Sequence, residues 1–161
     1  MYLITRLMYF AFIRPGQILK LQFGHLHMRE GYITVHGLIS KNGKTETAQI
    51  IPALANELQT RLELHKLDYY LFSTGITPGK YPLSKQVPFR RHQKALEKLG
   101  LLQKGYTLYS WKHTGAMNAY RAGVGLKGLQ SMLRHSSIQM TDIYLKSLGL
   151  RTDPNLNIYS W

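Results

Sequence analysis

Tyr144 follows His135 by nine residues near the end of the chain, and the stretch from Tyr106 to Leu148 that holds them also carries Tyr109, Lys112 and His113. These residue types suit chemistry at phosphorus. A phosphodiester can be broken without metal when a tyrosine oxygen attacks in line, cations neutralise the equatorial oxygens and an acid protonates the departing oxygen. Cations are abundant: Lys and Arg number 21 against 8 Asp and Glu, a formal charge of +13. Such an excess concentrates polyanions near the chain, which makes nucleic acid the first partner to test. Taken singly, the same residues have blander readings, with Tyr144 a half-buried core tyrosine of a helical hairpin and His135 a satisfied loop residue.

Three short helices must position this stretch. Ser110 can cap the first, through Ala122, and Gly123 with Gly125 supply permissive backbone that ends it. A second runs from about Leu126 to Arg134. Ser136 or Ser137 caps a third, with Ile138, Met140, Ile143, Tyr144, Leu145 and Leu148 falling broadly on one side.

Upstream, Tyr2 to Ile13 is apolar on nearly every side and reads as a buried helix, and a second short helix runs from Pro15 through Leu21. Arg14, at their junction, reads alone as a surface residue compromised by packing. Tyr32 to His36 alternate, Asn42-Gly43 is a strong hairpin signal, and Thr45 to Ile51 are rich in Thr and Ile, so a small antiparallel sheet is expected with Lys41 and Lys44 flanking its turn. On composition alone those lysines are ordinary solvated charges. Pro52 opens a helix with Leu54, Leu58, Leu62 and Leu64 as its stripe, and Lys66 to Pro88 is mostly loop. The segment Phe89 to Leu99 carries Arg90, Arg91, His92, Lys94 and Lys98, either a solvated basic face or a helix laid against DNA.

Other classes are narrowed by composition. No cysteine is present, which excludes disulfides, thiolate zinc sites and a Cys nucleophile and suits a reducing cytoplasm. The longest apolar or aromatic run, Leu7 to Ile13, is far too short to cross a bilayer. Gly123 to Gly128 spells GxGxxG but follows a helix where a dinucleotide site needs a strand, so it reads as punctuation. His25-x-His27 lacks companion ligands, and no metal is expected.

The segment KHTGAMNAYRAGVGLKGLQSMLRHSSIQMTDIYLK, from Lys112 to Lys146, resembles the carboxy-terminal signature of tyrosine recombinases, the phage-integrase family, whose usual run reads HxLRHTxAxxL…AG…LGHSSixtTxiYxh. FIRPGQILKLQFGHLH, from Phe12, is similar to the family's first box, GxRxxELxxLxxxDI, and ISKNGKTETAQIIP, from Ile39, to its strand-turn-strand element. The resemblance covers nearly the full chain. It implies a mainly helical fold with a small antiparallel β-sheet, and a single catalytic domain over residues 1–161 without the family's amino-terminal DNA-binding domain. It also implies Tyr144 as nucleophile, His135 as an active-site histidine, Arg14 as the phosphate-binding arginine and Lys41 as the mobile catalytic lysine.

Departures from the pattern are local. Gln17 replaces a Glu, His25 an Asp, Lys112 the second arginine and Tyr109 the histidine three residues before it. Lysine keeps the charge but loses the two-pronged donor, and tyrosine is a poor base at neutral pH. Arg121 and Arg134 lie one or more helical turns away, and His113 is a candidate substitute for the base. The resemblance implies cleavage and rejoining of double-stranded DNA without a cofactor, by a protein monomeric alone and tetrameric on synapsed DNA. Lys44, Arg90, Arg91, Lys94, Lys98 and His113 would contact DNA. Rival readings are a catalytically impaired DNA-binding remnant of an integrase and a basic RNA-binding protein.

Overall fold

A computed structural model describes residues 1–37 and 43–150. Lys41 and Asn42, and the tail from 151 to 161, lie outside the described residues. Among the described residues, seven α-helices and three strands follow in the order α1 (Tyr2–Phe10), α2 (Pro15–Ile18), β1 (Leu26–His27), β2 (Tyr32–Val35), β3 (Glu46–Gln49), α3 (Pro52–Leu64), α4 (Gln86–Lys98), α5 (Ser110–Arg121), α6 (Leu126–Leu133) and α7 (Ile138–Ser147). The sheet is antiparallel in the order β1-β2-β3, with Ile33 opposite both Leu26 and Ala48. The mainly helical fold with a small antiparallel sheet is therefore as expected, although the two-residue β1 carries too little pattern to be read in advance.

Apolar spacing explains how these elements pack. Leu3, Ile4, Leu7 and Met8 recur at helical intervals on α1 and are buried together with Ile18, Leu21, Phe23, Ile33, Val35, Leu54, Leu58, Leu71 and Phe72. A second, smaller cluster joins Phe12 to Ala116 and Tyr120 of α5, Leu129 and Leu133 of α6 and Leu145 of α7. Consecutive residues thus enter different cores: Ile13 goes into the first, and Phe12, turned over by a φ of 52°, into the second. This reversal ends α1 at Phe10 rather than Ile13 and sets the direction in which the chain reaches Arg14.

Several element ends and faces differ from expectation. Only Pro15–Ile18 is α-helical in the second helix, and the basic helix begins earlier, at Gln86. Ser110 does not cap α5; Tyr109 occupies the cap, and Ser110 Oγ accepts the Thr107 N–H at 3.0 Å. Gly123 is left-handed at φ 90°, whereas Gly125 is extended at the start of α6. Leu64 is exposed because it is the last residue of its helix, past the end of the core. On α7 the buried line is Thr141 and Leu145, leaving Ile138, Met140 and Ile143 exposed, since the contact this helix makes with α6 is narrower than its apolar stripe. Ser137, as expected, caps α7 by accepting the Met140 N–H.

The two clusters are pressed together where α1 meets α5. A Cβ at Gly115 would run into the Tyr9 carbonyl oxygen, so only glycine permits this approach. Gly115→Ala is expected to destabilise the domain by about 1–3 kcal/mol through overpacking, read as a lowered urea midpoint, while Gly16→Ala, where a Cβ meets nothing within 4 Å, serves as the mild comparison.

Candidate active site

Tyr144 is placed by the cap of α7 and by the turn before it. Its hydroxyl lies 2.8 Å from His113 Nδ1, and its ring meets that of His135 edge-on with centroids 5.5 Å apart. Two imidazoles from different segments therefore flank one phenol. Burial pushes the Tyr144 hydroxyl up to about 12, so near neutral pH it keeps its proton and needs a base. Burial and the neighbouring Lys112 hold His113 below the usual histidine value, which leaves its ring neutral. In the Nε2–H tautomer, His113 Nδ1 is the acceptor for the Tyr144 proton.

His135 directly follows the end of α6. Its Nδ1 lies 3.0 Å from Thr141 Oγ1, and Thr141 is fully buried. A hydroxyl donating to Nδ1 leaves the ring Nε2–H to donate elsewhere. Burial, then Lys112, Arg14 and Arg134, push this imidazole down to about 4, so it acts as a neutral donor and not as a cation.

The cations converge from three elements. Lys112, on the first turn of α5, is only 6% exposed. Burial first, then Arg14 and Arg134, push its amine down to about 7, with Glu46 opposing. Arg14 precedes α2, and its backbone N–H donates to Gln17 Oε1 at 3.1 Å. Arg14 Nη1 is buried without a hydrogen-bond partner among the described residues, as is Gln17 Nε2. A buried donor left in that state costs about 1–3 kcal/mol until an acceptor arrives. Arg134 ends α6 in the left-handed conformation, φ 59° and ψ 45°, with its Nε 3.3 Å from Glu46 Oε2. An open cleft of about 570 Å³ is lined by Lys44, Glu46, Arg134, His135 and Ser136.

Of the residues singled out in the sequence, Arg14, Lys112, His113, His135 and Tyr144 come together here, and Lys44 reaches the cleft. Tyr109 stands aside: it is 39% exposed, with its ring centroid 6.4 Å from that of His113. The neighbour of the Tyr144 hydroxyl is therefore His113, which the sequence grouped mainly with DNA contacts. Arg90, Arg91, Lys94 and Lys98 are exposed on α4, a helix tethered to α5 by Trp111 Nε1 donating to His92 Nε2 at 3.2 Å.

The distance assigned in sequence between Lys112 and Arg134 needs correction. Arg121 does stay exposed at the end of α5, but α6 folds back on α5 and delivers Arg134 to the electrostatic neighbourhood of Lys112. Arg134, Glu46 and Thr141 are the site residues that sequence reasoning missed. An arginine in the place where the quoted LGHSS run has glycine was the available signal for the first. Glu46 and Thr141 gave none beyond being polar in semi-buried elements.

The phage integrase family model matches residues 1–149. The chain belongs to the phage integrase family. Tyrosine recombinase XerA of Pyrococcus furiosus is 27% identical over 145 residues, which cover 89% of this chain and 49% of that protein. The crystal structure of XerA recombinase superposes with a TM-score of 0.67 at 24% identity, over 86% of this chain and 50% of that one. The Tn1549 transposon integrase, in complex with a circular intermediate DNA, superposes with a TM-score of 0.70 at 20% identity, over 88% of this chain and 52% of that one. The chain spans about half the length of the curated relatives it matches.

Within this family frame, the lysine at position 112 has a consequence in water alone. Its amine titrates near 10.5 in the unfolded chain and near about 7 when folded, so between those values the unfolded state binds more protons and stability rises with pH. Below pH 7 both states hold the proton and no further change comes from this group. Urea unfolding free energy is thus expected to climb from pH 7 to pH 9, and Lys112→Met to remove most of that climb.

Proposed function

We propose that this domain cuts and rejoins duplex DNA through a covalent 3′-phosphotyrosine at Tyr144. The observation that carries the reading is the hydrogen bond between the Tyr144 hydroxyl and a neutral His113, beside His135 and the buried cations. The Tyr144 oxygen attacks phosphorus in line as its proton passes to His113 Nδ1. Arg14 supplies its unpartnered Nη1 to a phosphate oxygen, Lys112 adds charge, and His135 donates from Nε2. The bond from phosphorus to the 5′ oxygen breaks, and that oxygen takes a proton from Lys41, the role its place in the hairpin motif implies. The phosphotyrosine keeps the energy of the broken linkage, so a 5′-hydroxyl of another strand can reverse the step without a nucleotide cofactor.

The wider setting rests on the relatives. Recombinases and a transposon integrase share this fold, which supports integration or recombination of a mobile element by subunits assembled on synapsed DNA. The exposed basic residues of α4, with Lys44 at the cleft, are the surface that meets phosphate backbone.

Incubation with a nicked suicide substrate separates this reading from a DNA-binding remnant. A covalent protein–DNA adduct is expected from the native chain and none from Tyr144→Phe, with His113→Gln slowing adduct formation by about 10²-fold or more. Binding without adduct would favour the remnant. Log affinity for duplex DNA is expected to fall steeply and linearly with log salt, and a flat response or a preference for structured RNA would remove the DNA role.

A further inference from the structure

Resting on the strand-transfer reading, we propose that Arg134 is a positioning residue whose guanidinium braces the main chain before Arg14 and fixes lysine, in place of arginine, as the fitting cation at position 112. Neither change makes sense alone. The family pattern quoted above has arginine at 112 and glycine at 134; here a guanidinium is lost from one place and gained at the other.

The backbone at 134 is where a side chain is least welcome. A left-handed residue other than glycine costs about 1–2 kcal/mol, and Arg134 carries that cost at φ 59°. Its side chain is only 5% exposed, so burial is added to strain. What offsets both is a set of contacts that glycine could not make. Nη2 donates to the Phe12 carbonyl at 2.7 Å, Nη1 to the Ala11 carbonyl at 3.1 Å and to the Met132 carbonyl at 3.3 Å, and Nε pairs with Glu46. One fork thus ties together the bend that precedes Arg14, the end of α6 that precedes His135, and the first residue of β3.

These contacts also show why the role is positioning. Both terminal nitrogens of this guanidinium are directed at protein carbonyls, whereas Arg14 Nη1 is buried with no hydrogen-bond partner among the described residues and is free to meet a phosphate. Arg134 also acts on Lys112 through space: burial does most to disfavour the ammonium, Arg14 and then Arg134 add to it, and Glu46 opposes them. A lysine in that position can yield its proton when no anion is present. An arginine there could not, and would force three permanent guanidinium charges around one carboxylate.

The test is a cycle of Lys112→Arg, Arg134→Gly and the double variant, with Arg134→Lys as the variant that keeps charge without the fork. Adduct formation on the nicked substrate is measured from pH 6 to 9. Each of the two single changes is expected to slow the reaction by at least about 10-fold. The double variant, which restores the family pairing, should recover to well above the product of the two losses. Adduct formation should fall along an alkaline limb as Lys112 loses its proton; Arg134→Gly should move that limb to higher pH, and Arg134→Lys should slow the reaction while leaving it in place. Independent losses in the cycle, or an unmoved limb in Arg134→Gly, overturn the proposal.

A second readout needs no catalysis. Lys112 can be titrated in the free protein by NMR of labelled lysines, and Arg134→Gly is expected to raise its midpoint by about one unit. An unchanged midpoint overturns the proposal even if the native chain forms no adduct, whereas a missing adduct with a shifted midpoint defeats only the strand-transfer reading.

Discussion

Positive charge held out of water is the constraint on which the site depends. Arg14, Lys112 and Arg134 bear on one another through a poorly hydrated interior, with Glu46 as the opposing carboxylate in that neighbourhood. Charges of one sign placed so close are costly unless something negative completes them. The fold offsets part of this with carbonyl oxygens at Arg134 and part by weakening the hold of Lys112 on its proton. What is left over is an unmet demand for an anion, sited beside a phenol. In the proposed reaction a phosphate diester meets that demand, and the protein's work in assembling the pocket becomes binding energy directed at the group to be attacked.

Around that demand, the histidines divide their tasks by what lies behind each ring. His135 is backed by Thr141 and pressed by cations, so it stays neutral and offers a proton-bearing nitrogen. His113 faces Tyr144 and offers a lone pair. The same side chain can thus serve as donor in one place and acceptor in the other, according to which ring nitrogen holds the proton.

Much of this was legible in the residues, for a physical reason. The motif from Lys112 to Lys146 is local, with Gly123 turning the chain after α5 and Ser137 capping α7, so Tyr144 and His135 could be placed on their elements before any coordinates. The apolar spacing of Leu3, Ile4, Leu7 and Met8 likewise announced a core helix. Faces and directions were harder. Apolar type alone could not show that Ile143 is exposed while Thr141 is buried, because that depends on how far α6 covers α7. Nor could it show that His113 and not Tyr109 meets the phenol, since two residues four positions apart on neighbouring turns differ only in where a third helix arrives. Arg134 was hidden by sequence separation: its partners Ala11 and Phe12 lie at the other end of the chain, and only the closed fold brings them within reach.

The parting of Phe12 and Ile13 into separate apolar cores gives the molecule an internal seam. Arg14 lies one residue beyond it, while Tyr144 and His113 ride on helices of the smaller side and His135 on the turn between two of them. The seam is closed where α1 packs along α5, by the close approach at Gly115 and the Asn118 amide on the Tyr9 hydroxyl, and by the guanidinium fork from position 134. Under the proposed chemistry, the register of that helix packing sets how far the Tyr144 oxygen stands from a phosphate held at Arg14, so side chains remote from the site govern its geometry.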